Sequence, residues 1–140
     1  MSIDDIMTDF TVLDDWEDRY RYIIELGRAL EPLDQSEKTD ATKVRGCASQ
    51  VWLVSVKYVI ENDISDPTYR FRGESDAHIV QGLIAILLAI YNDKSASQIL
   101  NIDASAIFNT LGLNDHLSPQ RANGLRSMIT RIHEEATESC

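Results

Sequence analysis

Mostly apolar residues recur at helical spacing near the start of the chain and predict one long amphipathic helix over residues 8–30. Charged residues occupy most of the opposite face, which is typical of a helix that packs on a core with one side. Pro32 marks the end of this helix, because the residue before a proline avoids helical backbone angles. The polar residues 34–40 are expected to form a surface loop of little intrinsic order. The recurring positions are Leu13, Trp16, Tyr20, Ile23, Ile24, Gly27 and Leu30.

Two segments of alternating polarity then predict an antiparallel β-hairpin. Residues 50–60 are rich in β-branched and aromatic types, which favour strands. Residues 68–73 alternate apolar and basic side chains, and the turn-forming residues 61–67 are expected to connect the two strands. In the first strand we expect the buried face to consist of Trp52, Val54, Val56, Tyr58 and Ile60. The opposite face is expected to be half-exposed and consists of Val51, Leu53, Ser55, Lys57 and Val59.

The chain after residue 75 has the pattern of several helices. The first, capped by Ser75 or Asp76 and running through Tyr91, is apolar nearly all round and is expected to be the central helix. Cap signals for three later helices stand at residues 95–98, Asp103 and residues 118–119. This order predicts a single α+β domain over residues 1–140, with a small antiparallel sheet covered on one face by several helices.

Composition and charge narrow the class of protein. A hydrophobic content of 44% and a charged content of 26% are ordinary for a soluble domain. The net charge of −10 argues against a nucleic-acid partner, which requires a basic face. The acidic start resembles no signal peptide, and the apolar run 83–91 is too short to span a membrane. We therefore expect a cytoplasmic protein with no membrane partner.

Cys47 is the candidate reactive group. The chain has two cysteines, too few for a disulfide framework. An isolated cysteine is most often a small buried hydrophobe, but Cys47 follows Gly46 in a turn that leads directly into a predicted strand. Arg45 and Arg121 are candidate cations that would favour its thiolate form. Cys140 ends the given sequence and is interpreted as incidental.

A metal site, a Cys–His hydrolase and a cluster scaffold have weak support in the sequence. His78, His116 and His133 stand singly, without the paired spacing of zinc ligands, so no metal site is expected. Composition alone permits a Cys–His hydrolase, but no recognisable nucleophile motif is present. A scaffold for iron–sulfur clusters would need several cysteine ligands, whereas one competent cysteine cannot fill a four-thiolate shell.

Four sequence blocks follow one another in an order that is typical of one protein family. They are residues 16–27 (WEDRYRYIIELG), 44–53 (VRGCASQVWL), 75–83 (SDAHIVQGL) and 117–128 (LSPQRANGLRSM). With these blocks the chain resembles the SufE family and its close relative CsdE along nearly its whole length. Ala48 stands where family members often have glutamine, and Glu31 stands where a small or apolar residue is common.

The resemblance implies an IscU-like α+β fold and a role in sulfur relay. Cys47 would take a persulfide sulfur from a pyridoxal-phosphate-dependent, SufS- or CsdA-like cysteine desulfurase and pass it to an iron–sulfur scaffold complex. The covalent persulfide would be the intermediate, and the pyridoxal phosphate (PLP) would belong to the partner, so this chain would carry no cofactor. It would activate the desulfurase rather than act as a stand-alone enzyme. A non-catalytic adaptor that stimulates by binding alone is the alternative, and a homodimer remains open.

The resemblance also implies roles for residues around the loop. The resting Cys47 would face an apolar recess with a raised pKa, and Gly46 would be part of a hinge that exposes it on docking. Asp76 would contact the loop or the partner, although an acidic residue also stabilises a helix start by itself. Arg121 would pair with an acidic partner or with Asp76. The loop and partner-contact candidates are Arg45, Gly46, Ser49, Gln50, Asp76 and Arg121.

Overall fold

A computed structural model describes residues 2–47, 49–58 and 66–138. These residues form six α-helices and three strands, together with short 3-10 turns at Gln35–Glu37 and Leu113–Asp115. In chain order the elements are α1 (Ile3–Val12), α2 (Trp16–Arg28), β1 (Val51–Tyr58), β2 (Thr68–Ser75), α3 (His78–Tyr91), β3 (Lys94–Ser95), α4 (Ala96–Asn101), α5 (Ala104–Thr110) and α6 (Pro119–Thr137). No helix in this part of the chain is long and apolar enough to cross a bilayer.

The three strands form one antiparallel sheet in the order β1-β2-β3. The register of the long hairpin runs from Val51 opposite Ser75 to Tyr58 opposite Thr68, which confirms the predicted hairpin. The two-residue strand β3 pairs with the start of β2 and is too short to produce a sequence pattern. An α+β fold with a small antiparallel sheet is therefore confirmed. Residues 59–65, which include most of the predicted connection, lie outside the described residues.

Helix α3 is the centre of the core, as its composition predicts. Nine of its residues are buried, and it packs between the sheet and the surrounding helices. It approaches α2 closely because two glycines meet: a Cβ on Gly27 would lie 2.7 Å from the backbone nitrogen of Gly82. Any side chain at Gly27 would push these helices apart. The contact explains why a glycine is placed inside each helix despite its cost there.

The predicted single helix over residues 8–30 is wrong, because the chain breaks between α1 and α2. Leu13 is extended, and the Asp15 carboxylate accepts a hydrogen bond of 2.8 Å from the Asp18 backbone N–H. This N-cap starts a new helix where the pattern predicted continuation. Phe10 packs edge-on against Trp16 across the break. Both helices bury their apolar residues in the same core, so the spacing of those residues along the sequence does not reveal the break.

The predicted buried face of β1 is also wrong. Val51 and Leu53 are 0% and 5% exposed, whereas Val56, on the face predicted to be buried, is 52% exposed. Leu53 lies opposite Gly73 in β2, and a Cβ on Gly73 would lie 2.8 Å from side-chain atoms of both Leu53 and Ile84 of α3. The Val51 and Leu53 face therefore packs toward α3. Val59 and Ile60 lie outside the described residues.

The start of α3 differs from the prediction as well. Its N-cap residue is Ala77, which has no capping side chain, whereas Ser75 belongs to β2. Neither Ser75 nor Asp76 caps the helix in the predicted manner. The caps predicted for the later helices are confirmed, with side chains of Ser95, Asp103 and Ser118 each accepting a backbone N–H bond in the first turn of its helix.

Candidate functional site

The Cys47 loop is closed at its base by backbone pairing that the sequence did not predict. The Val44 N–H donates to the Val51 carbonyl at 2.8 Å, and the Leu53 N–H donates to the Thr42 carbonyl at 2.9 Å. Residues 42–44 therefore run antiparallel to the start of β1 and lead directly into the loop. This pairing places Cys47 in the six-residue connection 45–50, whose two ends are joined by backbone hydrogen bonds. Ala48 lies outside the described residues.

Gly46 sets the course of this loop against α6. Its φ is +88°, in the left-handed region that glycine occupies at little cost. A Cβ on Gly46 would also lie 2.5 Å from the Ser127 hydroxyl of α6. The backbone angle therefore favours glycine here, and a side chain would also have to displace the Ser127 hydroxyl. The structure places Gly46 as a tightly packed turn residue, and its predicted role as a hinge stays a prediction.

The Cys47 thiol points at the same helix. Its Sγ lies 3.6 Å from the Gly124 carbonyl oxygen, to which the S–H donates a weak hydrogen bond. A Cβ on Gly124 would lie 3.5 Å from this sulfur, so the helix backbone and the thiol are in direct contact. Cys47 is half-buried, and the burial raises the pKa of its thiol. At neutral pH the resting group is the protonated, weakly nucleophilic thiol.

A cavity of about 290 Å³ opens beside the Cys47 sulfur. Its apolar wall comes from α3 and α6, through Val80, Leu83, Leu125 and Met128. Its polar lining comes from Ser49, Ser118, Gln120 and Arg121. The cavity exceeds the volume of several water molecules, at roughly 30 Å³ each in the liquid. An additional sulfur atom on Cys47 therefore has space next to an apolar wall. A larger cleft of about 710 Å³ near Leu30 and Asn92 does not include Cys47.

Asp76 holds the downstream side of the loop. Its carboxylate Oδ1 accepts a hydrogen bond of 3.0 Å from the Gln50 backbone N–H. In return, the Asp76 N–H donates to the Gln50 carbonyl at 3.3 Å. This reciprocal pair joins the end of the Cys47 loop to the segment that enters α3. Asp76 thus contacts the loop, and any contact with a partner stays a prediction.

Arg131 holds the upstream side, and sequence reasoning missed it. The guanidinium donates to the carbonyl oxygens of Ala41 and Lys43, the latter at 3.3 Å, from its position on α6. Glu135 on the same helix accepts a further bond from Arg131 at 3.2 Å. Arg131 therefore ties the strand-like segment before the loop to the helix that contacts Cys47. Since the bonded residues are about ninety positions apart in sequence, no local pattern marks this contact.

The polar segment 34–40 is held in place rather than being a loop of little order. Lys38 forms an ion pair with Glu74, and Glu37 forms an ion pair with Arg72; Glu74 and Arg72 belong to β2. Glu74 also accepts a 2.9 Å bond from the Leu33 N–H. The Lys38 hydrogen bond is the main cause that lowers the pKa of Glu74. The prediction of low order is wrong because the partners of this segment lie on a strand that is distant in sequence and is close only in the folded chain.

The two predicted cations line two different clefts beside the loop. Arg121 lines the Cys47 cavity, and Arg45 lines a neighbouring cleft together with Arg126. Within the described residues neither Arg45 nor Arg121 forms an ion pair, so the predicted pairing of Arg121 with Asp76 is absent. Their charges remain available to another molecule.

Two of the three histidines contact aromatic side chains, whereas His78 is exposed. His116 stacks on Trp16 with ring centroids 3.6 Å apart, and His133 lies 2.9 Å from the Tyr91 hydroxyl. Burial lowers the pKa of His133. Across residues 2–47, 49–58 and 66–138, no group of three or more His, Cys, Asp and Glu side chains could hold a metal ion. Cys140 lies outside these ranges.

Comparison with known proteins finds one family across nearly the whole chain. The sequence model of the SufE family, described as an Fe-S metabolism associated domain, matches residues 4–136. An uncharacterized SufE-like protein of Rhizobium meliloti is 58% identical over 96% of this chain and 94% of its own length. One from Rhizobium etli is 56% identical over 96% of this chain and 89% of its own.

The fold also has a counterpart among solved structures. The solution structure of a hypothetical protein from Thermus thermophilus superposes with a TM-score of 0.72. The similarity covers 99% of this chain and 98% of that one, at 16% sequence identity. At this identity the match supports the shared fold alone.

Proposed function

The chain belongs to the SufE family, and from this premise we propose that it accepts sulfane sulfur on Cys47 from a PLP-dependent cysteine desulfurase. It then passes the sulfur to iron–sulfur cluster assembly. One observation carries the proposal. The Cys47 thiol, on a loop tied at both sides, faces the backbone of Gly124 beside a cavity of about 290 Å³.

The acceptance step is an exchange at sulfur. Cys47 first loses its proton to solvent, and its thiolate attacks the outer sulfur of the donor's cysteine persulfide. A new S–S bond forms on Cys47 while the S–S bond in the donor breaks, and the donor cysteine leaves as a thiolate. No net oxidation occurs, so the step needs neither an oxidant nor a reductant. Removing the sulfur frees the desulfurase for another turnover, which makes this protein its activator.

Burial of Cys47 suits a carrier that waits for its donor. The raised pKa of the thiol keeps the thiolate fraction low at neutral pH, so stray electrophiles react slowly. Contact with the donor would bring the sulfur out of its recess and lower its pKa toward the ordinary value. After transfer, the apolar wall of the cavity would shield the persulfide from reductants.

The proposal assigns the cofactor chemistry to the partner. PLP resides in the SufS- or CsdA-like desulfurase, and the only covalent intermediate on this chain is the Cys47 persulfide. An iron–sulfur scaffold complex receives the sulfur. The cytoplasm is the proposed compartment, and self-association into a homodimer is not required for the transfer step.

Intact-protein mass spectrometry tests sulfur acceptance. The protein is incubated with a cysteine desulfurase and cysteine, without reductant, beside its Cys47→Ser and Cys140→Ser variants. We expect wild type and Cys140→Ser to gain the mass of one or more sulfur atoms, and Cys47→Ser to gain none. The Cys140→Ser variant is the matched control, because it removes the same thiol group elsewhere in the chain.

The same samples separate relay from binding alone. Desulfurase turnover is measured from alanine release in parallel. If no variant gains sulfur mass while desulfurase turnover still accelerates, the protein is an adaptor and the relay proposal is wrong. If Cys47→Ser also accelerates turnover as wild type does, binding rather than sulfur acceptance accounts for the activation.

A further inference from the structure

Exposed cations without an ion-pair partner concentrate around the Cys47 loop. Elsewhere in the described residues, the exposed Arg21, Arg28 and Arg70 each pair with a carboxylate. Four exposed cations in these ranges form no ion pair. Three of them flank the loop, namely Arg45, Arg121 and Arg126, and the fourth is Lys57. The chain as a whole has a net charge of −10.

The three arginines lie on both sides of the loop. Arg121 lines the Cys47 cavity. Arg45 and Arg126 line a second cleft, of about 500 Å³, that shares no lining residue with that cavity. Gly46 and Cys47 contact α6 between the two clefts, at Ser127 and Gly124. We call these three arginines the arginine surface.

Their charges are not cancelled within the chain. The Arg126 guanidinium donates to the neutral side-chain oxygen of Asn123, which leaves its charge in place. Glu134 also lines the second cleft but forms no ion pair with either arginine there. Arg131, the other cation in that cleft, is neutralised by Glu135. Three arginine charges without an ion-pair partner therefore flank the loop that carries the thiol.

We propose that the arginine surface docks a carboxylate-bearing surface of the sulfur donor, around the donor's persulfide cysteine. This rests on the proposed function and adds the chemistry by which the partner is recognised. The remainder of this acidic chain repels an acidic partner, so attraction at one face orients the encounter as well as accelerating it. The partner then arrives with its sulfur facing Cys47.

A protein surface fits this arrangement better than a small anion. A small anion would occupy one cleft and touch either Arg121 or the pair Arg45 and Arg126. A protein surface can meet both sides and still present a cysteine between them. The donor, rather than the later acceptor, is the expected occupant, because the free thiol held against Gly124 is the form of Cys47 that the donor meets.

The test is the rate of sulfur transfer at several salt concentrations. A desulfurase preloaded with persulfide is mixed with wild type, with Arg45→Glu/Arg126→Glu, or with Lys57→Glu, and intact mass is followed in a quenched-flow experiment. We expect the double variant to transfer about tenfold more slowly at low salt. Wild type slows as salt rises and approaches the double variant, because ions screen the attraction. Lys57→Glu, an exposed cation on β1 far from the loop, stays within about twofold of wild type.

A second readout separates docking from the chemistry of Cys47. A low-molecular-weight persulfide without carboxylate groups replaces the desulfurase at high salt, where it is expected to load all variants at the same rate. Thermal unfolding of each variant reports whether the fold is kept. Arg121→Glu is measured separately, because Arg121 also lines the Cys47 cavity.

Two results would overturn the docking surface while sulfur acceptance stands. One is a double variant with the rate and salt dependence of wild type. The other is a double variant that is equally slow with the small persulfide, since the arginines would then act on Cys47 itself. If wild type takes no sulfur from the desulfurase at any salt concentration but is loaded by the small persulfide, the proposed function fails and the docking surface fails with it.

Discussion

The two ends of β1 differ in how firmly they are held, although one strand and one register join them. At the loop end Val51 is fully buried, α6 contacts the adjoining Cys47 loop, and α3 lines the cavity beside it. At the other end Val56 and Tyr58 are 52% and 37% exposed. Two helices thus support the end of β1 that adjoins Cys47. The loop end of β1 is therefore the better supported end, and the exposed side chains at its other end are open to change.

The most damaging change at the loop end is expected at Gly46. A Gly46→Ala substitution forces a side chain into left-handed backbone and against the Ser127 hydroxyl. We expect a loss of about 2 kcal/mol or more in the free energy of unfolding. Urea denaturation measures it, and sulfur acceptance should fall as the loop shifts.

A second variant divides this effect into its two causes. Ser127→Ala removes the oxygen that a Cβ on Gly46 would approach to 2.5 Å, but it leaves the backbone angle unchanged. Gly46→Ala/Ser127→Ala should therefore recover part of the lost stability and not all of it. Full wild-type stability and sulfur acceptance in Gly46→Ala alone would remove Gly46 from both the packing account and the hinge hypothesis.

The next largest effect is expected for Arg131, which ties the upstream side of the loop. Arg131→Met keeps much of the side-chain volume but removes the donors to the carbonyls of Ala41 and Lys43. We expect a loss of about 1–3 kcal/mol, because the partly buried bond to the Lys43 carbonyl and the exposed bond to the Ala41 carbonyl are both lost. Cys47 should also be alkylated faster by iodoacetamide. Arg28→Met removes a solvent-exposed ion pair as the control and should cost about 0.5 kcal/mol or less.

Asp76 should have a smaller effect with a different chemical signature. Asp76→Ala removes the acceptor for the Gln50 N–H and is expected to cost about 1 kcal/mol. Asp76→Asn keeps a side-chain oxygen at the same position and should retain most of the stability. If Asp76→Asn loses sulfur transfer while remaining stable, the negative charge itself serves the partner. Equal loss of stability in both variants would contradict the hydrogen-bond account.

The smallest effect is expected at the far end of β1. Tyr58→Phe removes an exposed hydroxyl that donates to Asp93 at 2.9 Å. The change in unfolding free energy should stay within about 0.5 kcal/mol, and sulfur acceptance should be unchanged. Denaturation and the intact-mass assay measure both quantities. A loss as large as that of Arg131→Met would mean that the two ends of β1 are equally important.

Local signals predicted local structure well. The caps at Ser95, Asp103 and Ser118 each bond within three residues, so the sequence pattern contains both partners. The break before Asp15 was missed because the same charged residue suits either the exposed face of a long helix or the start of a new one. The inner face of β1 was misassigned because both faces carry apolar residues near its start, and only packing against α3 selects between them.

In the candidate site, too, the sequence predicts the local features but not the contacts between distant residues. Cys47 and its turn could be found from Gly46, the following strand and the family resemblance. The bonds that hold the loop, Arg131 to Ala41 and Asp76 to Gln50, join residues that are far apart in sequence. Their side chains have no local pattern, so only the folded chain brings them together.

We propose that the Cys47 loop, held by Arg131 and Asp76, keeps its thiol buried and protonated until a donor protein binds. The direct test is the pH dependence of iodoacetamide alkylation in the Cys140→Ser variant, in which Cys47 is the sole thiol. Alkylation is measured alone, in denaturant, and with a desulfurase whose donor cysteine has been replaced. We predict an apparent pKa in the folded protein above that in denaturant, because burial disfavours the thiolate. We also predict that the pKa falls and the rate rises on binding the desulfurase. Equal pKa values in the folded and denatured protein, with no response to the desulfurase, would contradict the account.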